Sequence, residues 1–134
     1  MSQENVEVVQ RVMRRFADED IEAALEDIDP EATLDWSNSD APDSGVYKGH
    51  ERWRAFARGR DEALGERRFD ADEVIVPTAD TVVIVGRIRE RGRASGIAVE
   101  TRGAAICTLR EGKVICLKLY QSRDEALKAV GLDE

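Results

Sequence analysis

Residues 97–121 read IAVETRGAAICTLREGKVICLKLYQ, two runs rich in Val, Ile, Leu and Thr with Glu111-Gly112 between them. β-Branched and apolar residues at alternate positions are typical of strands, and a short break that contains glycine is typical of a hairpin turn. The stretch therefore predicts two antiparallel strands, over residues 97–109 and 114–121.

The turn of this hairpin decides which side chains face inward, because a shift of one residue exchanges the two faces of a strand. A two-residue type I′ turn would place Glu111 at positive φ, which is uncommon for glutamate. A type I turn that starts one residue earlier avoids this and leaves Gly112 as the left-handed residue. The predicted cross-strand pairs are then Leu109 with Lys113 and Cys107 with Ile115.

In that register one face of the hairpin is almost wholly apolar, and we expect the helices to cover it. The preceding run, residues 81–89, repeats the alternation and predicts a third strand. Cys107 and Cys116 fall on opposite faces, so no intramolecular disulfide is predicted. The predicted inward positions are Val82, Ile84, Gly86, Ile88, Val99, Thr101, Gly103, Ala105, Cys107, Leu109, Ile115, Leu117 and Leu119.

Towards the N-terminus, three segments have apolar residues at helical spacing. The first begins behind Ser2, a candidate N-cap, and the third covers residues 50–64. The second begins after Asp20 and is closed by Pro30, because proline disfavours helical geometry in the residue before it. The apolar stripe of the first helix is Val9, Val12, Met13 and Phe16.

The remaining segments are a short strand over 32–36, a loop over 37–49 and a strand over 69–76. Ser122 and Glu125 form a capping box that starts a last helix, and Gly131 supplies its left-handed C-terminal position. The order α-α-β-α-β-β-β-β-α predicts one α+β domain over residues 1–134, with helices packed on one face of a curved, mostly antiparallel sheet.

The composition excludes several classes of function. The 134 residues carry 28 acidic and 20 basic side chains, a net charge of −8, one histidine and two cysteines. A multi-histidine metal site cannot be built, a Ser-His-Asp arrangement would have to use His50, and a negative chain is a poor partner for nucleic acid. The sequence has neither a signal peptide nor an apolar run long enough to span a membrane. We therefore expect a cytoplasmic protein without metal or cofactor.

Six short strings follow one another in a recognisable order: EVVQR at 7–11, DIEAA at 20–24, DPEATL at 29–34, YKGHE at 47–51, GRASG at 92–96 and LREGKV at 109–114. Together they resemble the nuclear transport factor 2-like superfamily, in its SnoaL-like or ketosteroid isomerase-like branch, over nearly the whole chain. The resemblance implies a cone in which helices cap a strongly bent sheet and enclose a pocket. It also implies an outer sheet face that often pairs with a second subunit.

Members of that superfamily catalyse isomerisation, cyclisation, dehydration or epoxide hydrolysis, and others bind ligands or only dimerise, so the fold selects none of these functions. The positions at which catalytic members keep acids, bases or hydrogen-bond donors carry none here, and the catalytic residues stay unknown. The resemblance places Val12, Trp36 and Ala105 at the isomerase positions, and Gly86, Ile88 and Leu119 at the epoxide hydrolase positions.

The resemblance also implies which side chains line the pocket. Asp35 and Tyr47, near the loop over 37–49, are the polar candidates at its mouth. The aromatic members of the lining set could instead form a filled core, because no polar group converges on them. The pocket-lining candidates are Val12, Phe16, Trp36, Trp53, Phe56, Ile84, Ile88, Thr101, Ala105, Cys107, Leu117 and Leu119.

An apolar patch with a polar rim on the outer sheet face predicts a homodimer. Its members are Val83, Val85, Arg102, Ile106, Cys116, Lys118 and Tyr120. Three functions are compatible with the sequence: binding of a small hydrophobic molecule, which we favour, an enzyme acting on a polyketide-like or terpenoid-like compound, and a structural dimerisation module. A cavity well under about 300 Å³ would favour the last.

Overall fold

The computed structural model describes residues 2–38 and 43–132. Within these residues, four helices and six strands follow one another. They are α1 (Ser2–Ala17), α2 (Ile21–Leu25), β1 (Ile28–Asp35), β2 (Val46–Lys48), α3 (His50–Ala63), β3 (Leu64–Thr78), β4 (Thr81–Gly92), β5 (Ala98–Arg110), β6 (Lys113–Tyr120) and α4 (Arg123–Ala129). The Ser2 cap predicted for α1 lies outside the described side chains.

The strands form one curved sheet in the order β2-β1-β6-β5-β4-β3. Every neighbouring pair is antiparallel except β1 and β6, which are parallel. Helices α1 and α3 pack against the inner face of this sheet, around a core that includes Val9, Val12 and Trp53. The α+β class with a curved, mostly antiparallel sheet is confirmed. Within the described residues, no helix is long and apolar enough to cross a membrane.

The first strand and the loop after it differ from the prediction. β1 begins at Ile28 rather than residue 32, and Pro30, which was expected to close the second helix, lies inside the strand. The pairing of β1 with β6 is irregular between Ile28 and Thr33, so the missing N–H of Pro30 falls where the ladder is already interrupted. Residues 46–48, predicted as loop, add the short edge strand β2 to β1.

The predicted turn between β5 and β6 is wrong. Arg110 pairs with Lys113, and Glu111 and Gly112 both have positive φ, at 53° and 77°. This is the two-residue hairpin, whose backbone twist matches that of the flanking strands, and that match outweighs the cost of glutamate in the left-handed region.

A bulge then restores most of the predicted inner face. Leu109 lies opposite Val114 and Thr108 opposite Cys116, so Ile115 is an extra residue in β6. Val114, rather than the predicted Ile115, is buried in the inner core. Beyond the bulge Cys107 faces Leu117, not Ile115. Leu117 and Leu119 therefore keep their predicted inward positions.

Helix α4 packs on the outer face of the sheet, which corrects the expectation that all helices share one face. Its Ala126 contacts a second buried cluster with Val83 and Ala104. The predicted N-cap is present, because the Ser122 side chain accepts a hydrogen bond from the Glu125 backbone N–H. The Glu125 carboxylate accepts from the Ser122 hydroxyl, whereas a full capping box would use the Ser122 backbone N–H. α4 thus covers part of the face on which a dimer was predicted.

Candidate functional site

A cavity lies between α1, α3 and the inner face of the sheet, in two adjoining lobes, and the larger lobe also reaches Arg102, Tyr120 and Gln121. The larger lobe has a volume of about 520 Å³ and the smaller about 90 Å³. Both are open to solvent, and most of their walls are apolar side chains. The residues that line both lobes are Met13, Arg60, Phe69, Ile88, Glu90 and Leu119.

Nine of the twelve predicted lining residues lie in these walls. They are Phe16, Phe56 and Leu117 in the smaller lobe, Trp36, Ile84, Thr101 and Ala105 in the larger lobe, and Ile88 and Leu119 in both. Eight of the nine are apolar side chains. Thr101 adds a hydroxyl near the exposed end of β5.

The other three, Val12, Trp53 and Cys107, are fully buried in the core instead. The Trp53 indole N–H donates to the Ala32 carbonyl 2.9 Å away, which holds α3 against β1. Burial raises the pKa of Cys107 to about 12, so its thiol stays protonated at neutral pH and has little nucleophilic character.

The two polar candidates for the mouth make contacts with the loop rather than with the cavity. The Asp35 carboxylate accepts hydrogen bonds from the Ser37 backbone N–H at 2.9 Å and its hydroxyl at 2.5 Å. Burial raises the pKa of Asp35, but the hydrogen bonds from Ser37 outweigh it, so the net shift is downward. The Tyr47 hydroxyl donates to the Asp43 carbonyl at 2.5 Å. Neither residue is among those that line the two lobes.

His50 is a structural residue. Its Nε2 lies 2.8 Å from the Ile28 carbonyl and ties the start of α3 to β1. Among the residues that the structure describes, no cluster of His, Cys, Asp or Glu could hold a metal ion.

A buried carboxylate, which the sequence-based analysis missed, faces the cavity. Glu90 is only 8% exposed and lines both lobes. It follows Ile88 by two residues and so continues the inward alternation of β4. The prediction ended this strand at residue 89, one position too early. Extending the same period by one step would have identified Glu90.

Arg60 of α3 is the cation closest to Glu90. Its Nη2 lies 3.7 Å from Glu90 Oε1, which is an ion pair but longer than a hydrogen bond. The guanidinium carbon lies 5.5 Å from the centre of the Phe56 ring and 6.0 Å from that of Trp36, within the range of cation–π attraction. Arg60 therefore lies over two aromatic rings of the wall.

Asp43 holds this arrangement from the loop side. One of its carboxylate oxygens accepts a hydrogen bond from the Trp36 indole N–H at 3.1 Å, and the other lies 3.4 Å from Arg60 Nη1. Because Asp43 contacts both side chains, the loop before β2 fixes the wall of the larger lobe. No sequence pattern predicted these contacts: Asp43 is seven residues from Trp36 across the loop and 17 residues from Arg60.

Comparisons with known proteins assign the fold. A model of the SnoaL-like domain matches residues 9–116. The chain belongs to the SnoaL-like domain family. Among curated proteins, none matches this chain.

Solved structures resemble this SnoaL-like chain along almost its whole length. One, described as a SnoaL-like polyketide cyclase from Jannaschia sp. CCS1, is 19% identical with a TM-score of 0.78 and covers 99% of this chain and 95% of its own. TerC, co-crystallised with polyporic acid, is 21% identical with a TM-score of 0.77 and coverages of 95% and 98%. A ketosteroid isomerase-like protein from Catenulispora acidiphila, in complex with trimethylamine, is 13% identical with a TM-score of 0.76 and coverages of 94% and 93%. These likenesses confirm the nuclear transport factor 2-like fold.

A second arginine lines the smaller lobe of the SnoaL-like cavity. The Arg67 side chain is 6% exposed, and its Nη2 donates to the Phe16 carbonyl at 3.0 Å and to the Asp61 carboxylate. Its Nε is buried and has no hydrogen-bond partner among the described residues. Arg67 of β3 thus contacts both α1 and α3.

Two glycines face each other where β4 and β5 of the SnoaL-like sheet line the larger lobe. Gly86 pairs with Gly103. A Cβ at Gly86 would lie 2.6 Å from the Asp70 carbonyl oxygen, and one at Gly103 would lie 2.7 Å from the Tyr120 carbonyl oxygen. Real side chains do not tolerate such distances, so the close approach of neighbouring backbone requires glycine at both positions.

The outer patch of this SnoaL-like protein is smaller than predicted. Val83 is fully buried, because α4 covers it, and it is not available to a second subunit. Arg102 is exposed at the edge of the patch. The half-buried members are Val85, Ile106, Cys116, Lys118 and Tyr120.

Proposed function

We propose that this SnoaL-like protein binds a compact, mainly apolar small molecule in the larger lobe of its cavity. The observation that carries the proposal is the lobe itself, whose volume of about 520 Å³ lies within the range of roughly 300–1,000 Å³ usual for small-molecule sites. Apolar walls give affinity through the area that they remove from water, and a few polar groups orient the ligand. This volume exceeds the roughly 300 Å³ below which a structural dimerisation module would be favoured.

Two structural neighbours support this proposal. TerC was crystallised with polyporic acid and the Catenulispora protein with trimethylamine, so this cone-shaped fold accommodates small molecules elsewhere. The identity of the ligand does not follow from them, because both are less than 25% identical to this chain.

Native mass spectrometry of the protein purified from its own host tests the proposal. We expect a retained small molecule, and we expect Ala105→Leu to lose it, because Ala105 is 2% exposed and a larger side chain there fills the lobe. Ala98→Leu makes the same change at an exposed position of β5 and serves as the control. Equal retention of the molecule by both variants would contradict binding in this lobe.

A second candidate function is an enzyme of the cyclase, isomerase or dehydratase type. The specific observation in its favour is Glu90, a buried carboxylate inside the cavity, where a proton acceptor has to lie within hydrogen-bond reach of its substrate. Once the retained molecule is identified, its turnover by wild type and by Glu90→Gln separates the two functions. Turnover that Glu90→Gln abolishes while binding persists would favour the enzyme, and no turnover by wild type would favour the binding protein.

We also propose that the protein is a homodimer through the outer sheet face, and that it is cytoplasmic. Ile75, Val85, Ile106 and Tyr120 form a half-buried apolar surface beside α4, with Arg102 and Lys118 at its rim. An apolar centre with a charged rim is the usual composition of an interface between subunits.

A further inference from the structure

Glu90 and Arg60 form a charged pair whose hydrogen-bonding capacity is largely unused. The 3.7 Å between Arg60 Nη2 and Glu90 Oε1 exceeds a hydrogen bond. Among the described residues, none donates a hydrogen bond to Glu90. A carboxylate has about four acceptor positions, and those of Glu90, a residue only 8% exposed, face the cavity, where a ligand group or water can donate to them.

The position of Arg60 is fixed from three sides. Its guanidinium lies over the rings of Trp36 and Phe56, and its Nη1 lies 3.4 Å from Asp43. The side chain is 21% exposed. The two rings and Asp43 therefore hold the guanidinium beside Glu90 without bringing the two groups into hydrogen-bond contact.

We propose that this pair selects a ligand by a neutral hydroxyl group, whether an alcohol, a phenol or an enol, placed between Glu90 and Arg60. A hydroxyl donates one hydrogen bond and accepts others, so a single oxygen can donate to Glu90 Oε1 and accept from Arg60 Nη2. This inference rests on the proposed function, and it adds the chemical class of the group that the larger lobe recognises.

Charged groups are disfavoured at the same place. A carboxylate near Arg60 would also lie beside Glu90, and an ammonium near Glu90 would lie beside Arg60. Like charges a few ångströms apart in a partly desolvated site repel strongly, which offsets the attraction to the opposite charge. An ether oxygen accepts from Arg60 but cannot donate to Glu90, so an ether ligand makes one hydrogen bond fewer than a hydroxyl at this place.

Four naphthalene probes of the same shape test this selection: 2-naphthol, 2-methoxynaphthalene, 2-naphthoate and the protonated 2-(aminomethyl)naphthalene. Calorimetric titration at neutral pH should give 2-naphthol an affinity about tenfold or more above each of the other three. The loss of one hydrogen bond to a charged group weakens binding by about 1.4 kcal/mol, which is a factor of ten in the dissociation constant. Ala105→Leu should weaken all four, because it fills the lobe.

Glu90→Gln tests the role of the charge. An amide keeps the shape and an acceptor oxygen, so 2-naphthol should still bind, whereas the affinity for 2-naphthoate should rise about tenfold because the repelling carboxylate is gone. Glu62→Gln, the same change at an exposed position of α3, should leave all four affinities as in wild type.

The outcomes separate the two proposals. Equal affinities of the four probes for wild type, or an unchanged 2-naphthoate affinity in Glu90→Gln, would overturn the hydroxyl assignment while leaving ligand binding in place. Failure of every probe to bind wild type would overturn both. Should Glu90→Gln unfold, the order of the four affinities in wild type decides the assignment without it.

Discussion

At the scale of single residues, two glycines have different surroundings, and their substitution by alanine should change the stability of the protein in opposite directions. Gly86 lies where β3 and β4 approach so closely that its missing Cβ would be 2.6 Å from the Asp70 carbonyl oxygen. Gly59, in the interior of α3, has nothing within 4 Å of the place where its Cβ would lie. Sequence alone does not separate these two residues, because both interrupt an otherwise regular element.

We therefore expect Gly86→Ala to lower the free energy of unfolding by about 1–3 kcal/mol, the usual cost of inserting a methyl group where there is no room. Gly59→Ala should raise it by roughly 0.5–1 kcal/mol, because alanine loses less backbone entropy in a helix. Urea denaturation of both variants measures the difference. A stabilised Gly86→Ala would show that β3 and β4 are further apart than described.

At the scale of elements, an ion-pair cluster joins the first helix to the segment between α2 and β1. Arg11 Nε lies 2.8 Å from Asp27, Arg11 Nη2 makes a second bond at 2.9 Å, and Arg15 Nη1 lies 3.2 Å away. The Arg11 hydrogen bonds hold the pKa of Asp27 below its ordinary value of 3.8. This paired geometry is the strong form of an arginine–carboxylate contact.

Because the folded-state pKa of Asp27 is lowered, its contribution to stability is present above pH 3.8 and is lost as the pH falls through the folded value. Asp27→Asn should lower the free energy of unfolding by roughly 1–3 kcal/mol at pH 7, and the difference from wild type should shrink towards pH 2. Urea titrations at both pH values measure it, with Asp18→Asn, an exposed aspartate of the next turn, as control. A difference that stays constant with pH would rule out this origin.

The elements also show what the sequence could predict. The alternation Val82, Ile84, Gly86, Ile88 predicted the inner face of β4, because side chains on a strand alternate with a period of two. The same rule did not reach Glu90, because the predicted strand ended at residue 89. The helix cover on Val83 and the contact of Arg60 with Asp43 join segments distant in the chain, and no local pattern encodes those. The bulge at Ile115 and the contact of Trp36 with Asp43 are closer in sequence, but they depend on backbone geometry that an alternation of residue types does not reveal.

At the scale of the whole molecule, one sheet serves two purposes on its two faces. The inner face, with α1 and α3, encloses the cavity and its Arg60–Glu90 pair. The outer face carries α4 and the half-buried surface around Ile106 and Tyr120, which we assign to a second subunit. The net charge is −8, and its acidic excess lies in residues 1–47, with 13 acidic and 3 basic side chains, so it is not concentrated on the strands that line the larger lobe.

Light scattering at micromolar concentration should give twice the chain mass of 14.9 kDa. Ile106→Lys should reduce the mass to that of one chain, because a buried ammonium in an apolar interface is strongly unfavourable. Ile97→Lys, at a position 63% exposed outside the patch, should leave the dimer intact. A wild-type protein of single-chain mass would contradict this assignment of the outer face.

Methyl NMR during a titration with 2-naphthol tests most directly whether the inner cavity is the ligand site. The isoleucines report on both faces, since Ile84 and Ile88 line the larger lobe while Ile75 and Ile106 pack on the outer face. We expect saturable shifts of the Ile84 and Ile88 methyl signals with those of Ile75 and Ile106 unchanged. Shifts confined to Ile75 and Ile106, or no shifts at all, would contradict it.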